Sequence, residues 1–131
     1  MNNYNPVIWF EIYVQDIKRA QQFYEQLLQI QMHPMTDPTD DGLQMVGFPS
    51  PNTMENMATG SSGSLVQMQG VESGANSTIV YFACEDCSVE ESRVEVAGGH
   101  VHRPKMAIGE FGFISLVLDT EGNMIGLHSM K

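Results

Sequence analysis

The constraint that narrows the fold most is an internal repeat. Pro6–Gln15 reads as an apolar strand that runs into an amphipathic helix over Asp16–Ile30, and Ser77–Glu85 followed by Asp86–Gly98 repeats that order, with Asp16 and Asp86 at matching helix starts. Short strand-like runs broken by Gly, Pro and Asp follow each helix, so each half reads as one strand, one helix and three strands. The chain is therefore expected to be a single α+β domain, residues 1–131, made of two βαβββ repeats over about 6–70 and 76–131. Two half-sheets that curve toward each other leave faces that only side chains or a ligand can fill, which puts a small-molecule site first among the expectations.

Length and charge remove several alternatives. The 131 residues suit one domain, and 42% apolar residues are enough for a core. No apolar run is long enough to span a membrane, and the opening MNNYNP lacks the basic and apolar blocks of a secretory signal, so a cytoplasmic location is expected. Two cysteines cannot form a disulfide framework, which agrees with a reducing compartment. Sixteen acidic against six basic residues, a net charge of −10, repel phosphate backbones and anionic lipid; neither nucleic acid nor membrane is an expected partner.

Ile17, Ala20, Phe23, Tyr24, Leu27 and Leu28 recur at the spacing of one helical face, and Asp16 can cap the helix they form. The second helix has a weaker stripe, but Ser88 with Glu91 fits a capping box and Gly98-Gly99 fits a left-handed exit. Val7–Val14 and Thr78–Cys84 are rich in β-branched and aromatic residues, as strands require. Phe113–Leu118 and Met124–Met130 flank the turn Asp119-Thr120-Glu121-Gly122-Asn123 and should pair antiparallel, with Leu43–Phe48 and Ser64–Gln69 as their counterparts. The connection between those two is long, either a plain surface loop or a lid with Met54 and Met57 as adaptable contacts.

Trp9-Phe10-Glu11-Ile12-Tyr13-Val14-Gln15-Asp16-Ile17-Lys18-Arg19-Ala20 with Phe23-Tyr24 resembles the opening of proteins in the vicinal oxygen chelate superfamily, which includes glyoxalase I, bleomycin-resistance proteins and extradiol dioxygenases. Ala97-Gly98-Gly99 through Pro104-Lys105, then Gly109-Glu110-Phe111-Gly112-Phe113, the Asp119–Asn123 turn and Ile125-Gly126-Leu127-His128 resemble the close of the same module. The resemblance implies paired βαβββ modules that curl into an incomplete barrel around a cavity, and a homodimer. It also implies four inward positions that hold His, Gln or Glu in metal-dependent members. Aligned on Asp16 and Asp86, two of these fall on Trp9 and Ile79; the last falls on Gly126, and in the Ser64–Gln69 strand only Gln67 is a suitable donor. Indole, an alkyl chain and a bare glycine do not bind a divalent cation, so neither a metal site nor a cofactor is expected.

Strand alternation then places Trp9, Glu11 and Tyr13 toward the cavity with Ile79, Tyr81, Ala83, Gly126 and His128, while Ile8, Phe10, Ile12 and Val14 pack under the helix. Trp9, Glu11, Tyr13, Ile79, Tyr81 and His128 are the expected ligand contacts, an aromatic lining with one carboxylate that suits a planar or cationic small molecule. Glu11 either pairs structurally, with His128 or Tyr81 for example, or recognises a ligand, or acts as a catalytic base. Cys84-Glu85-Asp86-Cys87 has the look of a redox pair, yet Cys84 stands where the first half has Val14, which favours a core residue. His100-Val101-His102 reads as a surface edge strand. The function expected is metal-free binding or sequestration of an aromatic or cationic compound. The alternative is a lyase, isomerase or dioxygenase of the superfamily that uses Glu11 as base or a displaced metal site of Glu11, His128 and Gln67.

Overall fold

The computed structural model describes residues 5, 7–36, 42–49 and 60–131. The first half contains strand β1 (Trp9–Tyr13), helix α1 (Ile17–Leu28), β2 (His33–Met35), β3 (Gln44–Gly47) and β4 (Ser62–Gln67). The second repeats the order with β5 (Tyr81–Ala83), α2 (Cys87–Glu91), β6 (His100–Ala107), a short 3-10 turn (Gly109–Phe111), β7 (Phe113–Leu118) and β8 (Met124–Ser129). The strand orders are β1-β4-β3-β2 and β5-β8-β7-β6, so each half makes one mixed sheet whose first strand lies parallel to its last. The architecture is α+β, two unclosed four-stranded sheets, as the repeat implied. The 50–59 connection, with Met54 and Met57, lies outside the described residues.

Helix α1 begins where Asp16 accepts from Arg19 N and ends at Gln29 in the left-handed region, φ 55°. Its apolar stripe is buried. The second helix is much shorter than expected, five residues, and turns carry the chain from Ser92 to Gly98. Its start also differs from the expected capping box. Asp86 caps α2 by accepting from Ser88 N, and Glu91 instead accepts from Lys105 N at 2.6 Å, because β6 passes within its reach.

The core forms between the helices and one face of each sheet. Ile12, Val14, Val46 and Leu65 from the first half join Val117, Ile125 and Leu127 from the second. The halves meet through aromatic rings: Phe10 of β1 and Phe82 of β5 are 6.4 Å apart, edge to face, Phe48 packs against both, and Tyr24 packs against Phe48 and Phe82. Ile8 departs from the expected packing; it precedes the strand and is 72% exposed.

The Asp119–Asn123 turn does more than reverse the chain. Glu121, with no exposed side-chain surface, accepts from Gln15 N, Asp16 N and Thr120 Oγ1 and takes a two-pronged contact from Arg19 at 2.7 and 2.9 Å. Tyr24 donates its hydroxyl to Asp119 at 2.7 Å, and Asn123 donates to Tyr13 O at 2.9 Å. A turn of the second half thus clasps both ends of the β1–α1 corner of the first.

Candidate functional site

Residues that alternate with the buried positions of β1 point to the face turned away from the helices, here called the distal face. Trp9, Glu11 and Tyr13 lie there, as alternation required, and they touch. Trp9 Nε1 donates to one carboxylate oxygen of Glu11 at 3.1 Å and Tyr13 OH donates to the other at 2.9 Å. Neither His128 nor Tyr81 is the partner of Glu11. Each Glu11 oxygen keeps a lone pair, so the carboxylate remains able to receive a further donor. The bond to Glu11, then partial burial, then the repulsion of a neighbouring negative charge raise the Tyr13 hydroxyl above its usual range. Replacing Glu11 with glutamine is therefore expected to bring Tyr13 ionisation down toward an ordinary tyrosine, followed by the ring carbon shift of labelled Tyr13 on alkaline titration. An unchanged midpoint would show that the pair does not persist in solution.

Beside this triad lies a cleft of about 410 Å³. It is lined by β1 residues of both faces, Glu11 and Tyr13 with Phe10 and Ile12, by Glu72, Asn76 and Thr78 from the crossover between the halves, and by Asn123 to Ile125. The cleft takes in neither Trp9, which joins it through Glu11, nor Ile79, Tyr81 or His128. Ile79 is half-buried just before β5. Tyr81, 47% exposed, lies across the bare backbone of its register partner Gly126, where an added Cβ would sit 2.2 Å from its ring. His128 shares that sheet face but spends Nε2 on Phe111 O at 2.7 Å, which ties down the 3-10 turn. The expected six contacts thus divide into a connected group on β1, with Tyr81 and His128 apart from it on β5 and β8 and Ile79 just before β5.

Some lining residues escaped the sequence reading. Glu72 and Asn76 carry no periodicity, since they belong to a connection held by single bonds such as Gly74 N to Asn123 Oδ1; Thr78, expected to start a strand, lies in the same connection because β5 begins only at Tyr81. Only the Gly and Ser content of that stretch marked it as a loop. Ser64 was not singled out either; it is the register neighbour of Glu11, fully buried, and its hydroxyl has no partner among the described residues.

The sequence profile of the Glyoxalase/Bleomycin resistance protein/Dioxygenase superfamily matches residues 7–127. The chain belongs to that superfamily. Solved structures agree on the fold. Glyoxalase I from Zea mays is similar at a TM-score of 0.70 and 20% identity over 93% of this chain and 43% of its own, so the chain spans less than half of that enzyme. A glyoxylase/bleomycin resistance protein/dioxygenase domain from Frankia sp. is similar at 0.69 and 16% identity, covering 98% of this chain and 100% of its own. A hypothetical protein from S. aureus is similar at 0.66 and 17% identity, covering 97% and 95%. No curated protein sequence matches the chain.

Within this superfamily fold the positions expected to hold a metal do not suit one. Trp9 offers an indole N–H already given to Glu11, Gly126 offers no side chain and is covered by the Tyr81 ring, and Ile79 is alkyl. Gln67, taken from the sequence as the one donor available on its strand, faces the opposite way. Its Oε1 accepts from Ile17 N at 2.8 Å, since register places it on the helix side, which removes it from a displaced site with Glu11 and His128. Among the described residues no three His, Cys, Asp or Glu side chains gather closely enough for a cation. The donor set does not fit a divalent cation.

The remaining two constellations resolve simply. Cys87 is buried and Cys84 half-buried, both as free thiols, and burial followed by the charge of Glu90 pushes the Cys84 thiol up to about 12, the opposite of an activated nucleophile. His100 and His102 lie on the edge strand β6, exposed, with His100 Nδ1 3.5 Å from Glu95.

Proposed function

We propose that this superfamily member binds a small aromatic or cationic molecule at the Trp9–Glu11–Tyr13 triad and its cleft, without the help of a divalent cation. The observation that carries this reading is the Glu11 carboxylate held between an indole N–H and a phenol O–H at a cleft wall. Two fixed donors orient the carboxylate, so a ligand N–H or ammonium meets a pre-set acceptor and little side-chain ordering is left to be done on binding. The rings of Trp9 and Tyr13 supply stacking and cation–π surface next to it. Glu72 adds a second carboxylate to the same cleft.

The test is a panel of neutral, cationic and anionic aromatic compounds titrated into protein treated with chelator, read by the fluorescence of Trp9, the one tryptophan of the chain. A cationic or neutral aromatic is expected to bind, and Glu11→Ala to weaken the cation by roughly 10- to 100-fold, the scale of one charge-assisted contact. Binding that appears only when divalent metal is added, or that ignores Glu11→Ala, would overturn the reading. Chemical conversion of the bound compound, lost in Glu11→Gln, would replace binding by general-base catalysis at the same carboxylate.

A further inference from the structure

The distal face of the second sheet has the opposite chemistry to the Glu11 triad. Register places Arg103, Leu116, Gly126 and Tyr81 in one row across that sheet, with Met106, Ile114 and His128 in the next. The alternate residues, Ser115, Val117, Ile125 and Leu127, are buried on the helix side, so the two rows face away from the helices.

Arg103 reaches this face through an irregularity. Val101 pairs with Val117 on the helix side, and uninterrupted alternation would send Arg103 there too. The register shifts between Val101 and Arg103, and again between Arg103 and Met106, turn Arg103 and Met106 outward and leave Lys105 on the helix side, over the Phe113 ring. Bulges of this kind re-aim single side chains beside functional surfaces.

Among the described residues no carboxylate pairs with Arg103. In a chain with sixteen acidic side chains, Arg19, Lys105 and Lys131 each contact one, whereas the side-chain contact of Arg103 among the described residues is Met106 Sδ at 3.6 Å. No strand residue on this face of the second sheet is acidic. The guanidinium therefore lies by Met106 at one edge of this face, and Leu116 and Ile114 of β7 form an apolar floor between it and the half-exposed Tyr81 ring over Gly126. From β6 to β8 is two strand spacings, about 10 Å, the length of a bicyclic aromatic acid.

We propose that this face is a subsite for a planar aromatic carboxylate, with Arg103 on the carboxylate as a forked donor and the ring laid over Leu116 and Ile114 toward Tyr81. The subsite does not involve Glu11 and stands or falls independently of it. The probes are 2-naphthoate and its neutral amide, titrated into the full chain and followed by NMR of the Arg103 and Tyr81 signals. Expected are shifts of both residues with naphthoate, binding at least tenfold tighter than the amide, and loss of that preference in Arg103→Gln with recovery in Arg103→Lys of only part of it. Glu11→Gln is expected to leave naphthoate affinity within twofold. Equal affinity for acid and amide, no response at Arg103, or unchanged naphthoate binding in Arg103→Gln would each overturn the proposal, whatever the Glu11 triad binds.

Discussion

Glu121→Ala is expected to lower the unfolding free energy by about 3 kcal/mol, measured by urea denaturation at neutral pH. The carboxylate has no exposed surface, and its removal leaves the Gln15 and Asp16 amides without their acceptor and frees the Arg19 guanidinium from its two-pronged contact. The same group makes stability pH-dependent. Burial pushes the Glu121 carboxyl up, but Arg19, Thr120 and the two backbone amides outweigh it and hold the group at about 2, against an ordinary 4.5. A depressed carboxyl contributes stability that is complete above about 4.5 and is lost as pH falls toward about 2. Asp119 works the other way: burial raises it despite the bonds from Tyr24 and Asn123, so its protonation offsets part of the acid loss. Wild type should therefore lose more stability between pH 5 and pH 2 than Glu121→Gln does. Parallel curves for the two proteins would mean that the clasp is not what responds to acid.

Gly99→Ala is the second large effect, with an expected cost of roughly 1–3 kcal/mol from overpacking. A methyl at Gly99 would lie 2.4 Å from Leu118 O and 2.6 Å from the Phe23 ring. The first is backbone, and the second is a buried ring packed edge to face on Tyr24 at 5.1 Å, so neither has room to retreat. Gly126→Ala is the control. Its methyl would meet the Tyr81 ring, which is half-exposed and free to rotate outward. Denaturation midpoints should separate the two variants clearly, and equal midpoints would sink the distinction between a rigid and a yielding neighbour.

Much of this was legible beforehand because it is periodic. The α1 stripe, the alternation of Trp9, Glu11 and Tyr13, and the Phe113–Leu118 and Met124–Ser129 hairpin all follow from spacing, which reports which way a side chain points. What spacing does not report is the partner across a gap in sequence. Alternation offers His128 or Tyr81 as possible partners of Glu11, but its donors are its own neighbours on β1, two residues away on either side. For Gln67 the residue types name the one possible donor on its strand but leave the phase of that strand open; the register Ile12 to Leu65 fixes Gln67 on the helix side. Arg103 was invisible because two register shifts override alternation, and the sequence carries no mark of them beyond Pro104. The shortness of α2 has a similar origin: Ser92 and Arg93 interrupt its apolar stripe, and Arg93 turns to donate to Leu27 O instead of continuing the helix face.

The clasp and the shared aromatic core have a consequence for how ligands are to be detected. Since Glu121, Asp119 and Asn123 of one half hold Gln15, Tyr24 and Tyr13 of the other, neither sheet is expected to unfold while its neighbour stays native. A compound seated on either sheet would then stabilise the whole chain by mass action, by about 2.7 kcal/mol at a hundredfold excess over its dissociation constant, and raise its one melting temperature. One calorimetric transition would report on both faces at once, and two compounds on different faces would add their shifts where two on the same face would compete.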